Sequence, residues 1–181
     1  MGEIIAQKPL LISQHLHGDL HEVTRQSHLL LSAVQWDLRD FVGSTKISRQ
    51  LVNYDSAAIE KSNPLRFVAM VSLAVLLDLQ DRFDEAESTW NEAFTDCSEA
   101  LGPMHPVTLT VMSEMAHHYA ATNRHAEAYA MAIKATELYG KAYKIERNGN
   151  ICDRKYLSMD YMVDIFYDLD CLEESEKLCI Q

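Results

Sequence analysis

One distance organises this sequence. Asn63-Pro64 recurs as His105-Pro106, with the prolines 42 residues apart. Leu73-Ala74 recurs as Met115-Ala116, and Arg82-Phe83-Asp84-Glu85-Ala86-Glu87 as Arg124-His125-Ala126-Glu127-Ala128-Tyr129, both at the same offset. A third copy follows after a five-residue insertion: Met162-Val163 lies 47 after Met115-Ala116, and Cys171-Leu172-Glu173-Glu174-Ser175 lies 47 after Arg124 to Ala128. A chain that repeats itself at a fixed period of this length folds as stacked copies of one supersecondary unit.

Each copy reads as a pair of helices. The first opens at a proline, which suits the first helical turn and disfavours helix just before it. Val107, Thr108, Val111, Met112, Met115, Ala116 and Tyr119 then form a stripe of helical period. A polar turn follows, Gln80-Asp81-Arg82 or Thr122-Asn123-Arg124, and the second helix runs from Asp84 to about Ala100 or from Ala126 to about Tyr139. Gly102 and Gly140 stand just after, where glycine ends a helix through the left-handed conformation. Only six glycines and four prolines occur in 181 residues, a scarcity that favours long helices over turn-rich β folds.

On Leu73, Ala74, Leu77, Phe83, Ala86 and Ala93, then Met115, Ala116, Tyr119, Ala128 and Ala135, then Met162, Phe166 and Leu172, the chain resembles the tetratricopeptide repeat family. The 42-residue unit and the link Leu101-Gly102-Pro103-Met104-His105-Pro106-Val107-Thr108-Leu109 are similar to its kinesin-light-chain-like variant, in which His105 orders the link. The resemblance implies an all-α fold, a right-handed superhelix of antiparallel helix hairpins, over 63–181, with copies at about 63–104, 105–150 and 151–181. Residues 1–62 read as an N-terminal helical segment, either a degenerate repeat or a cap. Asp40-Phe41 falls 42 before Arg82-Phe83 and Ser32 falls 42 before Ala74, so a hairpin of roughly 21–38 and 45–60 is expected, with Gly43 between the two helices. About 4–16 is an extra short helix or a tail.

The same resemblance implies a concave groove lined by first helices. Its partner-binding positions are Val68, Val71, Val75 and Leu79 with Asp78, then Thr110, Ser113 and His117 with Ala120 and Ala121, then Leu157, Asp160, Asp164, Tyr167 and Asp168. The groove grades from apolar to acidic, and residues 151–181 carry eight acidic and three basic side chains. The basic side chains that clamp an acidic chaperone tail are absent from those places. A protein or peptide partner of basic or apolar character is complementary, against the plainer reading of a solvated helix face. The run from Arg66 to Leu77 is hydrophobic nearly all round, which favours burial on every side, its groove face covered by the N-terminal region; the alternative is that this face is itself the peptide site.

Charge and motifs exclude more than they name. A formal net charge of −11 argues against a nucleic-acid or anionic-membrane binder. The longest apolar stretch, 67–77, is too short to span a bilayer. Four cysteines without a C-x-x-C pair, and an acidic N-terminus unlike a signal peptide, suggest reduced thiols in the cytoplasm, with the nucleus left open. No phosphate loop, G-x-S-x-G or H-E-x-x-H occurs, so no catalytic residue, cofactor or metal is assigned. An unrecognised enzyme site is the weakest alternative. The eight histidines, including the pair His17 and His21 and the group His117, His118 and His125, match no zinc-ligand spacing. The expected function is a non-catalytic protein-interaction scaffold. The alternative is a regulatory or oligomerisation fragment of a larger repeat-containing signalling protein, self-associating through an uncapped C-terminal hairpin that leaves Leu172, Leu178 and Ile180 open.

Overall fold

The helix starts follow from three side chains. His21 Nδ1 accepts the Val23 amide at 3.3 Å, Asn63 Oδ1 the Leu65 amide at 2.9 Å, and His105 Nδ1 the Val107 amide at 3.2 Å. Each satisfies an amide that the first helical turn leaves unpaired. The three positions stand 42 residues apart. A computed structural model describes residues 2–19, 21–58 and 63–146, and the helices that begin on these caps are α2 (Glu22–Asp37), α4 (Pro64–Asp78) and α6 (Pro106–Ala121). Each is followed by a turn through a left-handed residue, Arg39 at φ 62°, Asp81 at φ 57° and Asn123 at φ 60°, again at the same interval. The second helices α3 (Phe41–Ala58), α5 (Phe83–Leu101) and α7 (His125–Glu146) then begin.

The N-terminal region therefore shares the register of the repeats. Helix α1 (Gly2–His17) precedes it and ends as α5 does. Gly18 at φ 81° and Gly102 at φ 87° terminate the two helices. In each case a threonine two to three residues inside the next helix donates to the glycine carbonyl, Thr24 at 2.8 Å and Thr108 at 2.9 Å. Glycine is favoured here because the left-handed conformation costs an L-residue about 1–2 kcal/mol, a cost that Arg39, Asp81 and Asn123 bear at the turns. Gly43 is used differently. It lies inside α3, not between helices as expected from sequence, and a Cβ there would collide with the Asp40 carboxyl that caps the helix.

The chain divides into two compact units, residues 1–93 and 94–181, with the division falling inside α5. In the first unit, α1 to α4 pack as successive neighbours. Leu10, Leu31, Ile47, Leu51 and Ala69 form one core cluster, and α4 contributes fully buried Phe67, Met70, Ala74, Leu76 and Leu77. Trp90 of α5 is buried and donates its indole N–H to Asp78 at 3.0 Å. Arg66 is buried on α4 and reaches Glu92 at 3.0 Å. Arg49 of α3 meets Glu85 of α5 at 3.1 Å. Hydrogen bonds from Arg82 and then Arg49 hold the Glu85 carboxyl below the usual carboxylate range.

In the second unit α6 packs along α7. Leu109, Met112, Ala116, Ala132 and Ala135 make the core, with Phe94, Met131 and Tyr139 against it. The family-like positions Met115, Ala116, Tyr119, Ala128 and Ala135 are all buried, as are Leu73, Ala74, Leu77, Ala86 and Ala93 in the preceding copy. One boundary differs from the sequence expectation. Helix α7 continues through Gly140 to Glu146, so Gly140 does not end it. Glycine inside a helix costs only about 1 kcal/mol, and the good helix formers Lys141 and Ala142 carry the helix onward. The expected third copy at 151–181 lies outside the described residues.

Candidate functional site

A first helix offers a binding face only where neither its own partner helix nor the next repeat covers it. On α4 the helix buries Phe67, Met70, Leu73, Ala74, Leu76 and Leu77 but leaves Val68 and Leu79 exposed, with Val71 and Val75 half-buried. The expectation that this apolar helix is buried on every side is thus corrected. Helices α2 and α3 pack against other parts of α4, and the stripe through Val68 and Leu79 stays open. Its Asp78 is half-buried and holds the Trp90 indole rather than facing a partner freely.

On α6 the corresponding positions are smaller and more polar. Thr110 and His117 are half-buried and Ala121 is exposed, whereas Ser113 is buried. The Thr110 hydroxyl donates to the Pro106 carbonyl at 3.0 Å and the Ser113 hydroxyl to the Leu109 carbonyl at 3.1 Å. Both bonds turn back onto the helix itself. Leu157, Asp160, Asp164, Tyr167 and Asp168 lie outside the described residues.

Sequence reasoning missed the counterpart face on α2. Subtracting 42 from the α4 positions gives Gln26, Leu29, Ala33, Trp36 and Asp37. All but the half-buried Leu29 are exposed. The signal was present in the spacing of His21, Asn63 and His105, but histidine and asparagine share no obvious chemistry until both are seen accepting a helix-start amide. The first unit therefore carries two open first-helix faces, one mixed and one apolar.

The histidines of the described residues are engaged in the fold or stand apart from one another. Among the described residues no group of three or more His, Cys, Asp or Glu side chains lies close enough to hold a metal ion. The His17 and His21 rings stack with centroids 4.5 Å apart, and His21 Nδ1 is engaged in starting α2. His118 is buried with its ring edge-on to Tyr119. His105 makes the bond to Val107 that orders the link between repeats. No described helix is long and apolar enough to cross a membrane.

Hairpins at a 42-residue period, small residues buried where paired helices meet, and first-helix faces left open define an all-α repeat scaffold. Residues 65–141 match the model of the tetratricopeptide repeat family. Solved repeat structures of kinesin-light-chain type share its fold. A Podosopora anserina protein of kinesin-light-chain type with nearly identical TPR-like repeats is similar over 98% of this chain and 82% of its own, at a TM-score of 0.64 and 15% identity. A variant of that protein matches at 0.66 over 99% of this chain. BtubC (BKLC) from P. vanneervenii matches at a TM-score of 0.74 over 97% of this chain and 68% of its own, at 13% identity. These likenesses establish a fold. No curated protein matches the sequence. Repeats of this family generally mediate protein–protein interaction and are typically non-catalytic.

Proposed function

We propose that this chain is a non-catalytic scaffold that binds a protein partner, through a peptide or helix of apolar or basic character, on its open first-helix faces. The observation that carries the reading is the apolar stripe of α4, where Val68 and Leu79 stay exposed on a helix otherwise sunk in the core. Burying a side chain of this size contributes about 1.5–3 kcal/mol, and such exposed stripes mark interaction surfaces more often than monomer surfaces tolerate them. The overall charge of −11 favours a basic partner and speeds its encounter at low salt.

Affinity capture from a cell extract tests the reading. Val68→Asp places a charge on the apolar stripe without entering the core, and it should abolish the captured set. An Asp160/Asp164/Asp168→Asn variant should release the basic partners alone. An unchanged set with both variants would contradict the groove.

A further inference from the structure

The repeats act as controls for one another. At four positions of the turn between paired helices, α4–α5 carries Asp78, Gln80, Phe83 and Asp84, and α6–α7 carries Ala120, Thr122, His125 and Ala126. The first hairpin carries Trp36, Leu38, Phe41 and Val42 instead. Trp36 is 36% exposed, Leu38 54% and Val42 74%, and Leu79 from the following turn adds another side chain at 51%. Scattered apolar residues on a surface are ordinary, but a cluster of them is not.

The cluster has a shape. Trp36 and Phe41 meet edge to face, ring centroids 5.9 Å apart and planes at 77°, which fixes two rigid walls. Together with Leu79, Asp37 and Arg39 they line an open cavity of about 360 Å³. That lies at the low end of ligand-site volumes, ~300–1,000 Å³, and suits one bulky side chain and its neighbours rather than a cofactor. The rim has a sign. The lining itself holds Asp37 and Arg39, while the two turns, 36–42 and 78–85, carry six carboxylates against Arg39 and Arg82. Of these, Glu85 pairs with Arg82 and Arg49, Asp78 accepts from Trp90 and Asp40 from the Gly43 amide.

We propose that this cavity is a docking pocket for a peptide segment presenting one bulky apolar side chain with Lys or Arg beside it. The apolar group enters between Trp36, Phe41 and Leu79. The neighbouring cation reaches the Asp37 carboxylate and lies over the indole face, an attraction that aromatic rings offer to cations specifically. An acidic neighbour would face the carboxylates of both turns. The pocket lies at the two turns of the first unit, where Trp36, Asp37 and Leu79 also end the open faces of α2 and α4 and Arg39 and Phe41 belong to the pocket alone.

The test uses the full chain and a short fluorescein-labelled peptide, a central Phe–Leu pair flanked on both sides by lysines. Fluorescence anisotropy at low salt should show saturable binding. Trp36→Ala and Asp37→Lys should each weaken it about tenfold, as loss of a central anchor does. Flanking the same pair with glutamates should weaken it at least as much, and added salt should lower the affinity of the lysine peptide. Glu22→Gln, which removes an exposed carboxylate at the opposite end of α2 from Trp36, should leave this binding unchanged, which separates the pocket from the overall charge. Asp37 is exposed and outside the core, so Asp37→Lys carries the test even where Trp36→Ala perturbs folding. Absence of binding, equal affinity for the lysine and glutamate peptides, or full affinity in Asp37→Lys would overturn the proposal. So would light scattering in which the wild-type chain is a dimer and Trp36→Ala a monomer, because the pocket would then hold a second copy.

Discussion

The hairpins α2–α3 and α6–α7 start, turn and restart at corresponding positions, yet they fill the shared sites with different chemistry. Where paired helices approach closely, the later hairpin buries Ala116, Ala128 and Ala132, and α4–α5 buries Ala74, Ala86 and Trp90. The first hairpin places Ser32, Ser44 and Ser48 at those positions, all buried. Their hydroxyls form a closed set. Ser32 Oγ lies 2.8 Å from Ser44 Oγ and 3.1 Å from Ser48 Oγ, and Ser44 donates to the Ser32 carbonyl at 3.0 Å. Buried polar groups are tolerated when they find partners. The difference teaches that two of the three positions take a small side chain in every hairpin, while polarity is settled locally.

The largest effect should come from the one place where a repeat departs from small size. Trp90 stands where the neighbouring hairpins have Ser48 and Ala132, and it is buried with its N–H bonded to Asp78. Trp90→Ala should cost about 3–5 kcal/mol, read as a lower urea midpoint. A loss under about 1 kcal/mol would mean that the second repeat, like its neighbours, needs only a small residue there.

The serine set should respond in an opposite way to one change and to three. Ser32→Ala removes the partner of Ser48 and should cost about 1–3 kcal/mol, the cost of stranding a buried polar group. Replacing Ser32, Ser44 and Ser48 together with alanine, as in the later hairpin, should be close to neutral, since no hydroxyl is stranded and alanine favours helix. If the triple variant is the least stable of the series in denaturant, the hydroxyls hold the hairpin together and the equivalence with the alanine positions fails.

A smaller contrast concerns His28, which occupies the place of Met70 and Met112. Burial lowers its pKa, against opposing contributions from the Thr24 carbonyl and the Asp19 charge. The folded protein therefore binds the proton less readily than the unfolded chain does. Stability contributed by the neutral ring is present above about pH 6.5 and is lost as the pH falls below that value toward the lowered folded pKa. Thermal melts of His28→Met should show a shallower loss of stability from pH 7 to pH 5 than the wild-type chain. Parallel slopes would remove His28 from the explanation.

The second and third hairpins of the described chain were legible because alanines, prolines and the Arg-x-x-Glu-Ala run survive at the same offset. The first hairpin was half legible. Ser32 and Phe41 betrayed the offset, but the missing proline hid the helix start, and Gly43 suggested a break where the chain instead needs room beside the Asp40 cap. Gly140 misled for the converse reason: glycine permits a left-handed stop without requiring one, and among the described glycines Gly18 and Gly102 take it. Repeat register gives the expected groove positions on α4, but not that Val68 stays open while Ser113 is buried. Exposure depends on what the neighbouring helices leave uncovered, which a local pattern does not encode. The turn pocket was invisible for the same reason, since Trp36 and Leu79 lie 43 residues apart.

Hydrogen exchange on the intact native chain tests most directly whether the repeat begins before Asn63. Amide protection should rise over 22–37 and 41–53 as it does over 64–78 and 83–101, with fast exchange at the turns 38–40, 79–82 and 122–124. Exchange at the unprotected rate throughout 22–53, with protection confined to 64–146, would contradict a first hairpin folded in the register of the others.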